Sequence, residues 1–261
     1  MTVATFTPHP PTQRLTEDAP LLARAGAFLL LLCLPLMLVS LTDTRLADGT
    51  IAGRNPLETA AALGLYLLTL AWSARFLPPR LRHAGWMRRL DRIVVAAAAA
   101  EFAWVASVAA LGLRAQADAA APIVAAIAPA MGLLALVLTS GALIRGALLL
   151  RHGWGEIERA AGWAFVATFV LTVPIAMALS AAPVEGPGLP PFGWTLMPGD
   201  LRPAHLAAFH AMQIVPLAAL ALSALGRLPY GTGAAMTALW SAATLALAAY
   251  GMGWTGLPPL L

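Results

Sequence analysis

Between Gly199 and Gln213 the chain gathers an acid, a base, two imidazoles and an amide within fifteen residues, Gly199-Asp200-Leu201-Arg202-Pro203-Ala204-His205-Leu206-Ala207-Ala208-Phe209-His210-Ala211-Met212-Gln213. An apolar run to Leu225 follows. Asp200 suits a helix N-cap, and Pro203 suits the first turn, where its missing N–H costs nothing. Arg202 is placed to pair with Asp200 or with a lipid phosphate. His205 and His210 are five apart, about 140° around a helix at 3.6 residues per turn. They therefore do not share a face and cannot form the i,i+4 pair of a helical metal site. His210 and Gln213, at i,i+3, are better companions. His210 falls about 10 Å below the outer end of its helix. An imidazole at that depth must face the bundle interior or a wet cavity.

Glu101 is the other outlier, a carboxylate well inside an apolar run. Counting from Ile93, it lies about 12 Å from the near end of its span. Intramembrane acids are functional candidates by default. Depth arithmetic leaves Glu101 and His210 roughly 8 Å apart along the membrane normal for a core of about 30 Å. That predicts one polar cavity holding Glu101, His210 and Gln213.

The elements that must carry these groups are membrane helices. Of the 261 residues, 60% are apolar and 11% charged, against about 25% charged in soluble domains. Several apolar runs reach the ~20 residues that span a bilayer core. They do not alternate as barrel strands would. The expected fold is all-α, a polytopic bundle of seven transmembrane helices. The predicted spans are 21–41, 57–76, 93–113, 122–149, 160–182, 203–225 and 232–254, within one domain over 20–258. Residues 1–19, rich in Thr and Pro, read as a disordered tail. Arg24 and the apolar run behind it raise a signal peptide, but the run exceeds the usual ~7–15 residues and no Ala-x-Ala site follows, so an uncleaved span is preferred.

All sixteen basic residues are arginine. With no lysine, a retinal Schiff base is excluded. Twelve arginines, including Arg80, Arg82, Arg88, Arg89, Arg92, Arg145, Arg151 and Arg159, fall on the side of the N-terminus, and Arg45, Arg54, Arg114 and Arg202 on the other. Arg145, near the end of its span, is expected to snorkel to the interface. The positive-inside bias predicts a cytoplasmic N-terminus and a periplasmic or extracellular C-terminus. Trp86 and Trp154 read as interfacial belt residues, with Trp194 and Trp254 at the opposite side. Cys33, the one cysteine, excludes an intrachain disulfide. Nucleic-acid binding is disfavoured, because no dense basic stripe with interleaved aromatics is present. Phosphate-cradling glycine motifs, His-Glu-x-x-His, Gly-x-Ser-x-Gly and acidic metal pairs are absent.

Three pieces together look familiar: Thr44-Arg45 with Asn55-Pro56-Leu57 and residues 63–72, Glu101, and Gly199-Asp200-Leu201-Arg202…His205…His210…Gln213. They resemble a group of bacterial multi-pass membrane proteins of uncharacterised function, so the resemblance implies a membrane bundle and no activity.

The leading expectation is a protein that binds or conducts a small solute, proton or cofactor through Glu101, His210 and Gln213, with Asp200 and Arg202 at the mouth. Alternatives are a haem-binding redox subunit with His205 or His210 as axial ligand, and a membrane-embedded enzyme acting on lipid with Glu101 as general base.

Overall fold

A computed structural model describes residues 11–47, 50–51, 53–113, 122–181 and 197–254. Its helices are α1 (Pro11–Asp18), α2 (Pro20–Thr42), α3 (Arg54–Ser73, continued by a 3-10 turn Ala74–Phe76), α4 (Pro79–Arg82), α5 (Gly85–Ala110), α6 (Pro122–His152), α7 (Glu156–Ala181), α8 (Arg202–Ala224) and α9 (Thr232–Gly251). Two-residue strands, Leu46–Ala47 and Thr50–Ile51, pair antiparallel between α2 and α3. Seven of the described helices, α2, α3 and α5 to α9, are long and apolar enough to cross a membrane. Their outward faces carry Phe28, Leu31, Leu34, Leu38, Leu133 and Leu239, all well exposed. Water would oppose such a surface, and acyl chains would not.

Packing follows the chain, with α2 on α3, α3 on α5, α5 on α6, α6 on α7, α7 on α8, and α9 against both α7 and α8. Small residues let two of these pairs close tightly, as in membrane bundles generally. A methyl group on Gly26 of α2 would lie 2.9 Å from the Gly64 carbonyl oxygen of α3. One on Gly146 of α6 would lie 2.9 Å from the Gly162 carbonyl oxygen of α7. The main core is built from α2, α3, α5 and α6, with Phe165 and Met212 reaching in from α7 and α8. Tyr66 of α3, fully buried, donates to the Leu138 carbonyl of α6 at 2.6 Å.

Three expectations are corrected here. Residues 11–18 form a short helix rather than a tail, and Asp18 at its end pairs with Arg82 of α4 at 2.6 Å. Residues 1–10 lie outside the described residues. The third span begins at Gly85 rather than about 93. Its arginines do not end the helix, because Arg88, Arg89 and Arg92 project outward while Met87 and Val94 are buried.

Third, Arg145 does not snorkel. It is among the largest fully buried side chains, and its guanidinium pairs with Asp91 of α5. Its Nε and Nη1 have no partner among the described residues. Asp91 occupies the inward stripe of α5 with Met87 and Val94, and Arg145 the inward stripe of α6 with Leu138, Ala142 and Leu149. Two inward stripes meeting across the α5–α6 seam bring the charges together.

At the end of the bundle away from the arginine-rich loops, Arg45 clasps Asp43 through Nε and Nη2, both at 3.0 Å, and donates from Nη1 to the Ala110 carbonyl at 2.8 Å. The clasp thus closes the C-terminus of α5, where carbonyls lack helical donors. Hydrogen bonding to Arg45 holds the Asp43 carboxyl down at about 2, so it stays ionised throughout the physiological range.

The buried ion pair yields a stability prediction. Asp91→Asn leaves the Arg145 charge uncompensated and should cost about 3–5 kcal/mol, because breaking one side of a buried pair is worse than removing both. The double replacement Asp91→Leu with Arg145→Met should recover most of that loss. Thermal unfolding of the detergent-solubilised protein reads both, and a double variant as unstable as the single would refute the pairing account.

Candidate functional site

Helix α8 is held from behind by two side-chain hydrogen bonds. Thr168 of α7 accepts the Met212 N–H at 3.0 Å, and Trp240 of α9 donates from Nε1 to the Ala207 carbonyl at 2.8 Å. Pro216 has no N–H to offer the Met212 carbonyl one turn earlier, so the helix ladder is weakened where Thr168 engages it. The entrance to α8 is fixed by α9. Gly199, in the left-handed region at φ 104, donates its N–H to the Gly251 carbonyl at 2.7 Å. A methyl on Gly251 would lie 2.6 Å from the Asp200 carbonyl oxygen, so only glycine fits at that crossing.

Asp200 does not take the N-cap position, which belongs to Leu201. Its carboxylate nevertheless accepts the Arg202 N–H at 3.0 Å. The same carboxylate binds the Arg202 guanidinium in two-toothed fashion, at 2.9 and 2.8 Å. The expected Asp200–Arg202 pair is thus present, with the acid buried and the arginine at the rim.

With its back fixed, α8 meets α3 through long side chains. Arg202 lies within electrostatic reach of Glu58, which in turn pairs with Arg54 at 2.8 Å. Phe209 stacks on Tyr66 with centroids 5.6 Å apart. Gln213 donates from Nε2 to Thr69 Oγ1 at 3.3 Å. The pairs Glu58/Arg202, Tyr66/Phe209 and Thr69/Gln213 advance down both helices in step, so α3 and α8 run parallel, side by side. By that register His205 falls level with Ala61 and Ala62 of α3. The result is a polar track from Arg202 to Gln213, about 16 Å long at 1.5 Å per residue.

The track carries unmet hydrogen-bonding capacity. His205 Nδ1 and Gln213 Oε1 are buried without a partner among the described residues. Native proteins satisfy nearly all such atoms, and lipid supplies no substitute. The His210 ring lies alongside the Gln213 amide and edge-on to Phe209, at 5.5 Å between centroids. The i,i+3 companionship of His210 and Gln213 is therefore realised. His83 and His152 sit at the arginine-rich end of the molecule, so neither can oppose His205 or His210 across a haem. Among the described residues no group of three or more His, Cys, Asp or Glu could hold a metal ion.

Glu101 stands apart. It continues the stripe of Val94, Ala98, Val105 and Val108, all buried, so it faces protein rather than acyl chains. Val94, two turns along the same line, packs at Gly141 of α6. Glu101 therefore looks toward the α5–α6 seam, with Oε2 buried and unpartnered among the described residues. Because α5 starts early, Glu101 is about 24 Å from the basic end and about 14 Å from the other. That depth matches His210, about 12 Å below the same end. However, α5 packs on α3 and α6 whereas α8 packs on α7 and α9. Among the described residues no hydrogen bond or ion pair joins Glu101 to His210.

No known family model matches the chain, and comparison with curated proteins and with solved structures finds no significant match.

Three partners of the track escaped sequence reasoning. Glu58 is not among the residues the sequence singles out, and Tyr66 and Thr69 enter only within the segment 63–72 that carries the resemblance. Their common signal is spacing: 58, 62, 66 and 69 follow the i, i+4, i+8, i+11 rhythm of one helix face.

The Thr69–Gln213 bond is weak and only partly satisfies the amide. Replacing both sides by apolar groups, Thr69→Val with Gln213→Leu, should leave thermal stability unchanged or raise it slightly, since paired removal of polar partners is close to neutral. A melting temperature lower by more than about 5 °C, roughly 1 kcal/mol or more for a chain of this size, would show that the pair serves as a brace.

Proposed function

We propose that this integral membrane protein binds a small polar solute in the track between α3 and α8, with Gln213, His210 and His205 supplying hydrogen bonds and Arg202, Asp200, Glu58 and Arg54 forming the mouth. One observation carries the reading. Two buried polar atoms on a single helix, His205 Nδ1 and Gln213 Oε1, lack a well-formed hydrogen bond inside a membrane bundle, with the His210 ring within reach of the second. Leaving a buried group unsatisfied costs about 1–3 kcal/mol, a cost that a bound solute would remove.

The ring nitrogens of a neutral histidine offer one donor and one acceptor, and the glutamine amide offers both. A solute carrying hydroxyl, amide or amine groups fits that set better than a metal ion does. The charged mouth accounts for polarity in recognition: its two arginines face two carboxylates, so it can admit a zwitterion or a neutral polar molecule without strong bias. The arginine distribution supports a plasma-membrane location with the basic end in the cytoplasm, which opens the mouth to the exterior or periplasm. The group of bacterial membrane proteins that the Gly199–Gln213 segment resembles would be expected to share this track.

The test is chemical. Purified protein is extracted with organic solvent, and its small molecules are compared by mass spectrometry with those from Gln213→Leu and His210→Phe. A polar compound retained by the parent should fall about tenfold or more in each variant, the effect of losing one buried hydrogen bond of about 1.4 kcal/mol or more. Identical small-molecule profiles from well-folded parent and variants would dispose of the proposal.

A further inference from the structure

A second site lies at the other end of the molecule. An open cavity of about 410 Å³ is lined by Pro78, Arg151, His152, Gly153, Trp154 and Arg159. Arg151 and Arg159 make no ion pair among the described residues. The nearby carboxylates make no ion pair with them: Glu156 accepts the Gly233 N–H at 2.8 Å, and Glu158 folds back over Gly155. The Arg159 guanidinium instead lies over the Tyr230 ring, 4.9 Å from its centroid. Trp154 and Tyr230 are both almost wholly exposed. Cations without counterions, flanked by exposed aromatic side chains at the end of a membrane helix, match the headgroup layer of a bilayer.

A second cavity of about 380 Å³ is lined by residues of α7 and α9. Its walls are Trp163, Val166 and Val170 of α7 with Ala234, Thr237 and Ala238 of α9. Trp163, at the near end of the groove, is one helical turn beyond Arg159, which lines the cationic pocket. The groove exists because α9 begins with small residues. Gly233 lets its backbone close on Ala160, where a methyl would lie 2.6 Å from the Ala160 Cα, and Ala234 and Ala238 keep the surface low beyond that point. From Trp163 to Leu171 the groove extends about 12 Å along α7.

We propose that an anionic phospholipid from the leaflet at the basic end occupies this place, its phosphate held by Arg151, Arg159 and His152 and one acyl chain lying in the α7–α9 groove. Charge decides the headgroup. Two cations whose local acids are otherwise engaged favour a net negative lipid over a zwitterionic one, whose own ammonium would meet the same arginines. The groove decides for a lipid over a free anion, since an inorganic or soluble phosphate would leave it uncovered. The site is separate from the α3–α8 track and does not depend on it.

Native mass spectrometry of the full chain tests the proposal, with dioleoyl-phosphatidylglycerol, dioleoyl-phosphatidylcholine and glycerol 3-phosphate as probes. The parent should bind phosphatidylglycerol in preference to phosphatidylcholine, and glycerol 3-phosphate should fail to displace it at equal concentration. Arg151→Gln with Arg159→Gln should weaken phosphatidylglycerol binding roughly twentyfold, the effect of two surface arginines facing an anionic lipid. Ala238→Phe, which fills the groove and leaves every charge in place, should weaken it as well. Arg88→Gln with Arg89→Gln removes two exposed arginines elsewhere at the same end and should have little effect. Equal losses in the Arg88/Arg89 and Arg151/Arg159 variants would reduce the preference to general charge attraction and overturn the site. So would unchanged binding in Ala238→Phe, or displacement by glycerol 3-phosphate. If the double arginine variant fails to fold, Ala238→Phe alone decides.

Discussion

Hydrocarbon makes no hydrogen bonds, and the polar atoms of the described spans are arranged largely around that fact. The described backbone answers it with helices, whose amides and carbonyls are satisfied within each segment. Side chains cannot all do so. Most described Ser and Thr hydroxyls in the spans fold back onto a carbonyl three or four residues earlier, as Thr42, Ser107, Thr139, Ser140 and Thr244 do. The exceptions are therefore informative. Thr168 and Trp240 spend their polar groups on α8, and Tyr66 spends its hydroxyl on α6. These bonds set where α8 lies and which of its faces is left for α3.

The same constraint separates the three intramembrane polar centres by kind. Arg145 and Asp91 neutralise one another inside the α5–α6 seam, a pairing whose net worth to stability is small although its disruption is costly. Glu101, on the same inward stripe of α5, has no such partner among its described neighbours. The α3–α8 track lies between, with partners for some atoms and none for His205 Nδ1 or Gln213 Oε1. Thr172 Oγ1 and Glu101 Oε2 are likewise buried without a partner among the described residues, but His205 and Gln213 alone of these lie on the helix that carries the track.

Much of the architecture was legible in the chain because hydropathy and helix period are local properties. The seven spans, the inward-facing Glu101, the Asp200–Arg202 pair and the His210–Gln213 companionship all follow from residues close in sequence. The start of α5 was misjudged because a cluster of arginines looks like a loop, whereas in a helix Arg88, Arg89 and Arg92 share an outward side and interrupt nothing. Arg145 was misjudged because its depth permits snorkelling, and only its neighbour across the seam decides otherwise. Which helices lie side by side is not encoded in any single segment. The joint cavity for Glu101 and His210 rested on depth alone, and depth says nothing about azimuth.

The glycine contacts between α2 and α3 and between α6 and α7 bring backbone against backbone, whereas the described side-chain contacts between α3 and α8 are rings, an amide and charged tips. The α5–α6 seam, closed by the Arg145–Asp91 pair, and the Tyr66–Leu138 bond tie α3 to the helices that follow it, so the bundle is one body with one loosely filled face. Along that face side chains can rearrange while the glycine contacts elsewhere keep their spacing.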